Sequence, residues 1–178
     1  MHDDYQSIFE QIIADVQYLQ NLDWGRPRRG HPEGTVRAHI AELEGNLLVL
    51  RPRLSECDHW KLKILIHTHD SFKAQAEKGV RISHPQSHAS LARSFLEKFC
   101  TDVDLLNMVQ YHDEPYALWT QDKSKGSFNE QRLETLLATI GDWNLFSAFL
   151  IIDGCTAGKG REPLHWLFQK IASRVESV

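Results

Sequence analysis

The strongest constraint on what this chain can fold into is its apolar periodicity. Apolar residues recur at spacings of three and four almost throughout, and strand-like alternation is weak everywhere. Ile8, Phe9, Ile12, Ile13, Val16 and Leu19 form one stripe of an opening helix. Residues 23–34 read as a loop from their Gly and Pro content. Thr35 is suited to cap a second helix with Val36, Ile40, Leu43, Leu47 and Leu48, which Pro52 ends. Asp58 is the expected cap of a third, running through Trp60, Leu62, Ile64, Leu65 and Ile66 to His69 and Asp70. A looser stretch from Gly79 leads to a fourth helix, expected to start at Pro85, with His88, Leu91, Ala92, Phe95, Leu96 and Phe99. A fifth carries Val103, Leu106, Met108 and Val109 and reaches His112. A short helical piece after Pro115 and a surface loop from Gln121 to Asn129 come next. Helices over 130–140 and 142–153, and a last one from about Pro163, complete an all-α reading.

At 178 residues the chain has the size of one domain, spanning 1–178. A domain of this size buries roughly 70% of its unfolded surface, enough for a core and a recessed site without disulfides. Hydrophobic residues at 42% and charged residues at 25% exclude a disordered or fibrous chain. Twenty Lys and Arg against 24 Asp and Glu give a net charge of −4, with no overall pull toward nucleic acid or an anionic membrane. No apolar run approaches the ~20 residues that span a bilayer. The acidic start, Met1-His2-Asp3-Asp4, is unlike a secretory signal. Cys57, Cys100 and Cys155 are odd in number and widely spaced, and read as small buried hydrophobes in a reducing cytoplasm.

Ten histidines are many for such a chain, and their placement matters more than their number. His39 lies inside the second helix, His69-Asp70 closes the third, His88 opens the fourth, His112 ends the fifth and Asp153 ends the apolar helix near the C-terminus. A bundle would point such positions inward, and a buried Asp is costly unless its charge is compensated. Imidazole and carboxylate together suit Zn, Mn, Fe, Co or Ni, and bundles build such sites from facing helices.

This ordered set resembles the HD-domain metal-dependent phosphohydrolase superfamily. His69-Asp70-Ser71-Phe72-Lys73 is similar to its H-D-x-x-K signature, though Ser71 and Phe72 depart from the small or Gly-containing pair often found there. Thr35 to Ile40 resembles the helix bearing the first ligand, and His88 to Arg93 resembles a later motif helix. The resemblance covers residues 31–157, with the terminal helices packing on that region. It implies an all-α single-domain bundle of the HD type. It also implies one or two divalent metals, with Mn, Fe, Zn, Co, Ni and Mg all admissible. His39, His69, Asp70 and Asp153 would hold the first ion, and His88 and His112 the second, with Asp70 bridging.

The implied activity is hydrolysis of a phosphomonoester or phosphodiester by metal-activated water, with nucleotides among the candidate substrates. Asp70 and Lys73 are the implied catalytic residues, with Lys73 contacting the substrate phosphate or orienting Asp70. Arg37, Glu33 and Lys159 are further substrate-binding or supporting candidates. The alternatives are a di-iron oxygenase on the same scaffold and a non-catalytic nucleotide-sensing module. The expected partner is a small phosphorylated substrate, with no membrane and no strong nucleic-acid signal.

The remaining residues weigh less. Arg26, Arg28, Arg29 and His31 can reach a phosphate, but a solvated loop is at least as good a reading. His67 reads as core or partly exposed, and His2, His59, His84 and His165 as surface or packing residues. Residues 154–160 superficially suggest a P-loop, but they are one residue short, lack the final Ser/Thr and follow no strand. The five tryptophans read as core or rim aromatics.

Overall fold

A computed structural model describes residues 4–28, 30–172 and 174. Two readings above, those of His2 and Arg29, fall outside the described residues. Among the described residues ten α-helices follow in order: α1 Tyr5–Ala14, α2 Val16–Asn21, α3 Val36–Leu50, α4 Glu56–Thr68, α5 His88–Leu96, α6 Val103–Tyr111, α7 Glu114–Lys125, α8 Glu130–Thr139, α9 Trp143–Gly154 and α10 Glu162–Ile171. The all-α expectation holds: among the described residues only two isolated β-bridges occur, Gly25 with Thr35 and Arg28 with His31.

Helix starts are written in the sequence. Asp4, Asp15, Thr35, Ser55, Ser87, Asp102, Asn129 and Asp142 each accept a first-turn amide with their side chains. α7 and α10 lack such a cap and instead carry Pro115 and Pro163 in their first turns. Two of these caps correct the sequence reading. Ser55, not Asp58, starts α4: the Ser55 hydroxyl accepts from the Asp58 amide at 3.0 Å and donates to the Asp58 carboxylate at 2.6 Å. Ser87, not Pro85, starts α5.

Asp15 overturns the single opening stripe. Its backbone is extended (ψ 133°) and its carboxylate caps a new helix, so the register slips between α1 and α2. Ile8, Phe9 and Ile12 stay buried, but Val16 and Leu19 turn outward and Tyr18 goes in. Leu48 and Val103 also face solvent, and Cys57 is exposed while Cys100 is buried. The expected loop after Gln121 begins only at Gly126, whose left-handed φ of 69° closes a full α7.

α4 is the central helix, packed against α1, α3, α5, α6 and α9. Encirclement explains why Leu62, Ile64, Leu65 and Ile66 are all buried although they face different sides. α9 is similarly apolar, burying Trp143, Leu145, Phe146, Phe149, Leu150 and Ile152. α1 packs on α4, and α10 packs on α7 and α9. No single helix among the described residues is long and apolar enough to cross a membrane, and the α8–α9 pair is bent by 116°.

Candidate metal centre

Both buried helices, α4 and α9, end at the same place. α4 delivers His69 and Asp70 just past its C-terminus, and α9 delivers Asp153 in its last turn. The Asn46 side-chain amide on α3 donates to the Ile152 carbonyl on α9 at 2.9 Å, which brings His39 beside Asp153. α5 opens on His88, and α6 ends on His112. The six residues that the resemblance names as ligands therefore meet.

They meet as two triads, in each of which one donor atom per residue lies within 4.8 Å of the others: His39, His69 and Asp153, and Asp70, His88 and His112. In the first, His39 Nε2 is 3.0 Å from Asp153 Oδ1 and His69 Nε2 is 3.9 Å from it. In the second, His88 Nε2 and His112 Nε2 are 3.2 Å apart. Asp70 joins the two. Its Oδ2 is 3.9 Å from His39 Nε2 and 3.5 Å from His69 Nε2, while its Oδ1 is 3.5 Å from His112 Nε2 and 3.8 Å from His88 Nε2.

The backbone fixes which imidazole nitrogen faces inward. His69 Nδ1 donates toward the carbonyls of Leu65 and Ile66, both at 3.1 Å, which leaves Nε2 facing the centre. His112 Nδ1 donates to the Val109 carbonyl at 2.7 Å, with the same result. His69 is also held by the edge of Phe149, 5.2 Å between centroids.

His69 Nε2 and Asp70 Oδ1 are buried without a hydrogen-bond partner. Each such orphan costs about 1–3 kcal/mol, and a cation placed among them would satisfy both. The donor set, imidazoles with carboxylates, suits a first-row divalent ion. The residues present thus fit a metal.

The ionisation states of His69, Asp70 and Asp153 agree with that role. Burial drives the His69 pKa down to about 3, so its imidazole is neutral with a free lone pair. Burial pushes the Asp70 and Asp153 carboxyls up, but their polar neighbours outweigh it. The Lys73 ammonium holds Asp70 well below the usual carboxylate range, and the Lys159 ammonium with a hydrogen bond to His39 does the same for Asp153. For His112, burial is outweighed by Asp113 and Asp70, which raise its pKa.

The two lysines reach the centre as ion-pair partners. Lys159 Nζ is 2.6 Å from Asp153 Oδ1, and Lys73 Nζ bonds Asp70. Lys73 does so without the helix: α4 has ended, and a turn with the Lys73 amide 3.3 Å from the Asp70 carbonyl places it. Arg37 does not reach the centre, because its guanidinium pairs at the surface with Asp23. Arg26 and Arg28 are exposed.

Glu33 does reach the centre's surround, hydrogen-bonded to His31 and close behind His39, whose Nδ1 makes no hydrogen bond. Its Oε1 is 2.9 Å from His31 Nδ1 and 3.0 Å from His39 Nδ1. The loop before α3 sets this up. Its ends are tied by the Val36 amide to the Trp24 carbonyl (3.0 Å) and the Arg37 amide to the Leu22 carbonyl (2.8 Å). Gly25 and Gly34 allow the closure: a Cβ on Gly25 would stand 2.3 Å from the Gly34 carbonyl oxygen, and one on Gly34 2.9 Å from Pro27. His31, open above to a phosphate-reaching or a solvated-loop reading, is therefore part of the site's surround. The His-x-Glu spacing before His39 was the available signal.

Asp113 is a second addition. The sequence offers it only as a repeat of the His-Asp dipeptide, yet its Oδ2 lies 3.2 Å from His88 Nε2 and 3.7 Å from His112 Nε2. His67, by contrast, is engaged elsewhere, with the Tyr18 hydroxyl at 2.6 Å and Glu44 at 2.9 Å. Beside His88 and Asp113 opens a cleft of about 530 Å³, whose other walls include Trp24, Lys73, Lys78 and Arg81. Gln110 and Ser87 fix one wall by donating to the Ile82 carbonyl, each at 2.6 Å.

Compared with family models, with curated proteins and with solved structures, the chain matches none.

Proposed function

We propose that this chain is a metal-dependent phosphohydrolase acting on a phosphate ester bound in the cleft beside His88 and Asp113. The observation that carries the reading is the pair of imidazole–carboxylate triads joined through Asp70, next to a cleft with Lys73, Lys78 and Arg81 in its walls. Divalent ions held by His39, His69, Asp153, Asp70, His88 and His112 would supply Lewis acidity toward a phosphoryl oxygen and acidify water at neutral pH.

The chain's own groups account for binding. Lys73 and Lys159 now neutralise Asp70 and Asp153. Once dications compensate those carboxylates, both ammonium groups are free to face phosphate oxygens. Lys78 and Arg81 are exposed and can hold the rest of an anionic ester. Arg132 contributes a wall rather than a receptor, because both its contacts go to Glu114, at 2.6 and 2.7 Å. Trp24, an exposed aromatic in the cleft wall, is of a residue type that stacks on nucleobases, which favours a nucleotide among phosphate esters.

The test is a panel of phosphomonoesters and phosphodiesters, nucleotides included, with chelator-stripped protein reloaded with Mn, Fe, Co, Zn, Ni or Mg. The expected result is metal-dependent phosphate ester cleavage that disappears in His69→Gln and Asp70→Asn and falls about 10–100-fold in Lys73→Met. Dioxygen consumption by the iron-loaded protein, or tight nucleotide binding without turnover under every metal, would overturn it.

A further inference from the structure

We propose that Asp113 is a fourth protein ligand of the second metal position, completing the set begun by Asp70, His88 and His112. The proposal rests on the reading of the two triads as sites for divalent cations.

Three observations carry it. The first is aim: Asp113 Oδ2 lies within 3.2 Å of His88 Nε2 and 3.7 Å of His112 Nε2. Those two nitrogens are themselves 3.2 Å apart and both face Asp70 Oδ1. His112 is locked in this orientation by its bond to the Val109 carbonyl, so the convergence is not a loose rotamer.

The second is a forgone alternative. Asp113 stands at the N-cap of α7, where an aspartate ordinarily accepts the amide of the second or third helical residue. Its side chain makes no such bond, and Pro115 at the second position has no amide to give. The carboxylate is turned to the imidazoles instead.

The third is the composition of the donor sets. The first position gathers two imidazoles, His39 and His69, with Asp153 and the shared Asp70. With Asp113 the second position gathers the matching set, His88 and His112 with Asp113 and Asp70. Both then present two imidazole nitrogens and two carboxylate oxygens, a mixture suited to Mn(II), Fe(II) or Co(II). Asp113 differs from the other three ligands of its position in being half exposed, so it closes the metal position on the cleft side.

The test is a calorimetric titration of the chelator-stripped full chain with Mn²⁺ alone. The wild type is expected to take two equivalents. Asp113→Asn should keep the first within about threefold and weaken the second tenfold or more. Asp113→His, neutral but able to ligate, should restore the second. Two equivalents at wild-type affinity in Asp113→Asn would overturn the proposal. So would a second equivalent lost equally in both variants, since charge alone would then be at work. A wild-type chain that takes up no Mn²⁺, Co²⁺ or Zn²⁺ would remove the metal reading itself, a result distinct from either.

Discussion

Glu33 Oε1 lies 3.0 Å from His39 Nδ1, across the imidazole ring from the Nε2 that meets Asp153. His39 Nδ1 makes no hydrogen bond, so Glu33 acts on the ring through charge and close approach, and removing an outer partner of a metal-binding imidazole typically costs 10–100-fold in metal affinity. Glu33→Ala should therefore weaken the first metal equivalent by about that factor, with helix content by circular dichroism unchanged. An unaltered affinity would show that His39 is oriented by packing alone.

The loop that carries Glu33 depends on a backbone only glycine tolerates. Gly25 has φ +118°, and a Cβ there would meet the Gly34 carbonyl oxygen at 2.3 Å. Gly25→Ala should cost more than about 1 kcal/mol in a urea titration. It should also lower metal affinity, because the same closure holds His31 and Glu33 over the start of α3. A variant with wild-type stability and affinity would mean that the loop closes some other way.

Asp15 separates two helices that the apolar pattern would fuse. Its carboxylate accepts the Gln17 amide at 2.7 Å and the Tyr18 amide at 3.3 Å. Asp15→Ala should cost about 1 kcal/mol. Asp15→Asn, which caps equally well, should cost much less, and thermal melts of the pair give the comparison.

An acid-sensitive cluster far from the centre joins α1, α4 and α6. Asp102 accepts from the Tyr5 hydroxyl at 2.8 Å and pairs with Lys61 at 2.7 Å. Burial would raise the Asp102 pKa, but Lys61 and Tyr5 outweigh it and hold the carboxyl below its usual value. A folded pKa below the unfolded one gives stability that is complete above about pH 4 and lost as pH falls through the folded pKa. At the alkaline end, burial and then Asp102 push Tyr5 up to about 12. That contribution is present below about pH 10 and is lost as pH rises through the folded value. Asp102→Asn keeps the cap and removes the charge, so it should cost about 1–3 kcal/mol at pH 7. The difference from wild type should shrink progressively below pH 4, and a constant difference down to pH 2 would refute the assignment.

Much of the fold was legible because helices are local. Thr35 in front of Val36 names its own cap, and the ordered His and Asp positions at helix ends foretell which ends converge. What stayed hidden depends on distance in space rather than in sequence. Asp15 looks like one polar residue in a long stripe until its extended backbone is seen. Lys73 lies four residues after His69, a helical spacing, yet it reaches Asp70 through a turn. Arg37, one helical half-turn from His39, points away to Asp23 because residues so spaced face different sides. Asp113 sits at a helix cap, where spacing carries no phase, so only the folded chain reveals what it touches.

Asp70 is common to both halves of the centre, with Oδ2 toward His39 and His69 and Oδ1 toward His88 and His112. A shared carboxylate makes the two positions thermodynamically linked. An ion seated on one side polarises and orients the oxygen offered to the other, so occupancy of either changes the other's affinity. The change is the same factor in both directions, because linkage is reciprocal. Metal loading should accordingly follow a coupled isotherm rather than two independent ones, and Asp70→Asn should change the coupling as well as both affinities.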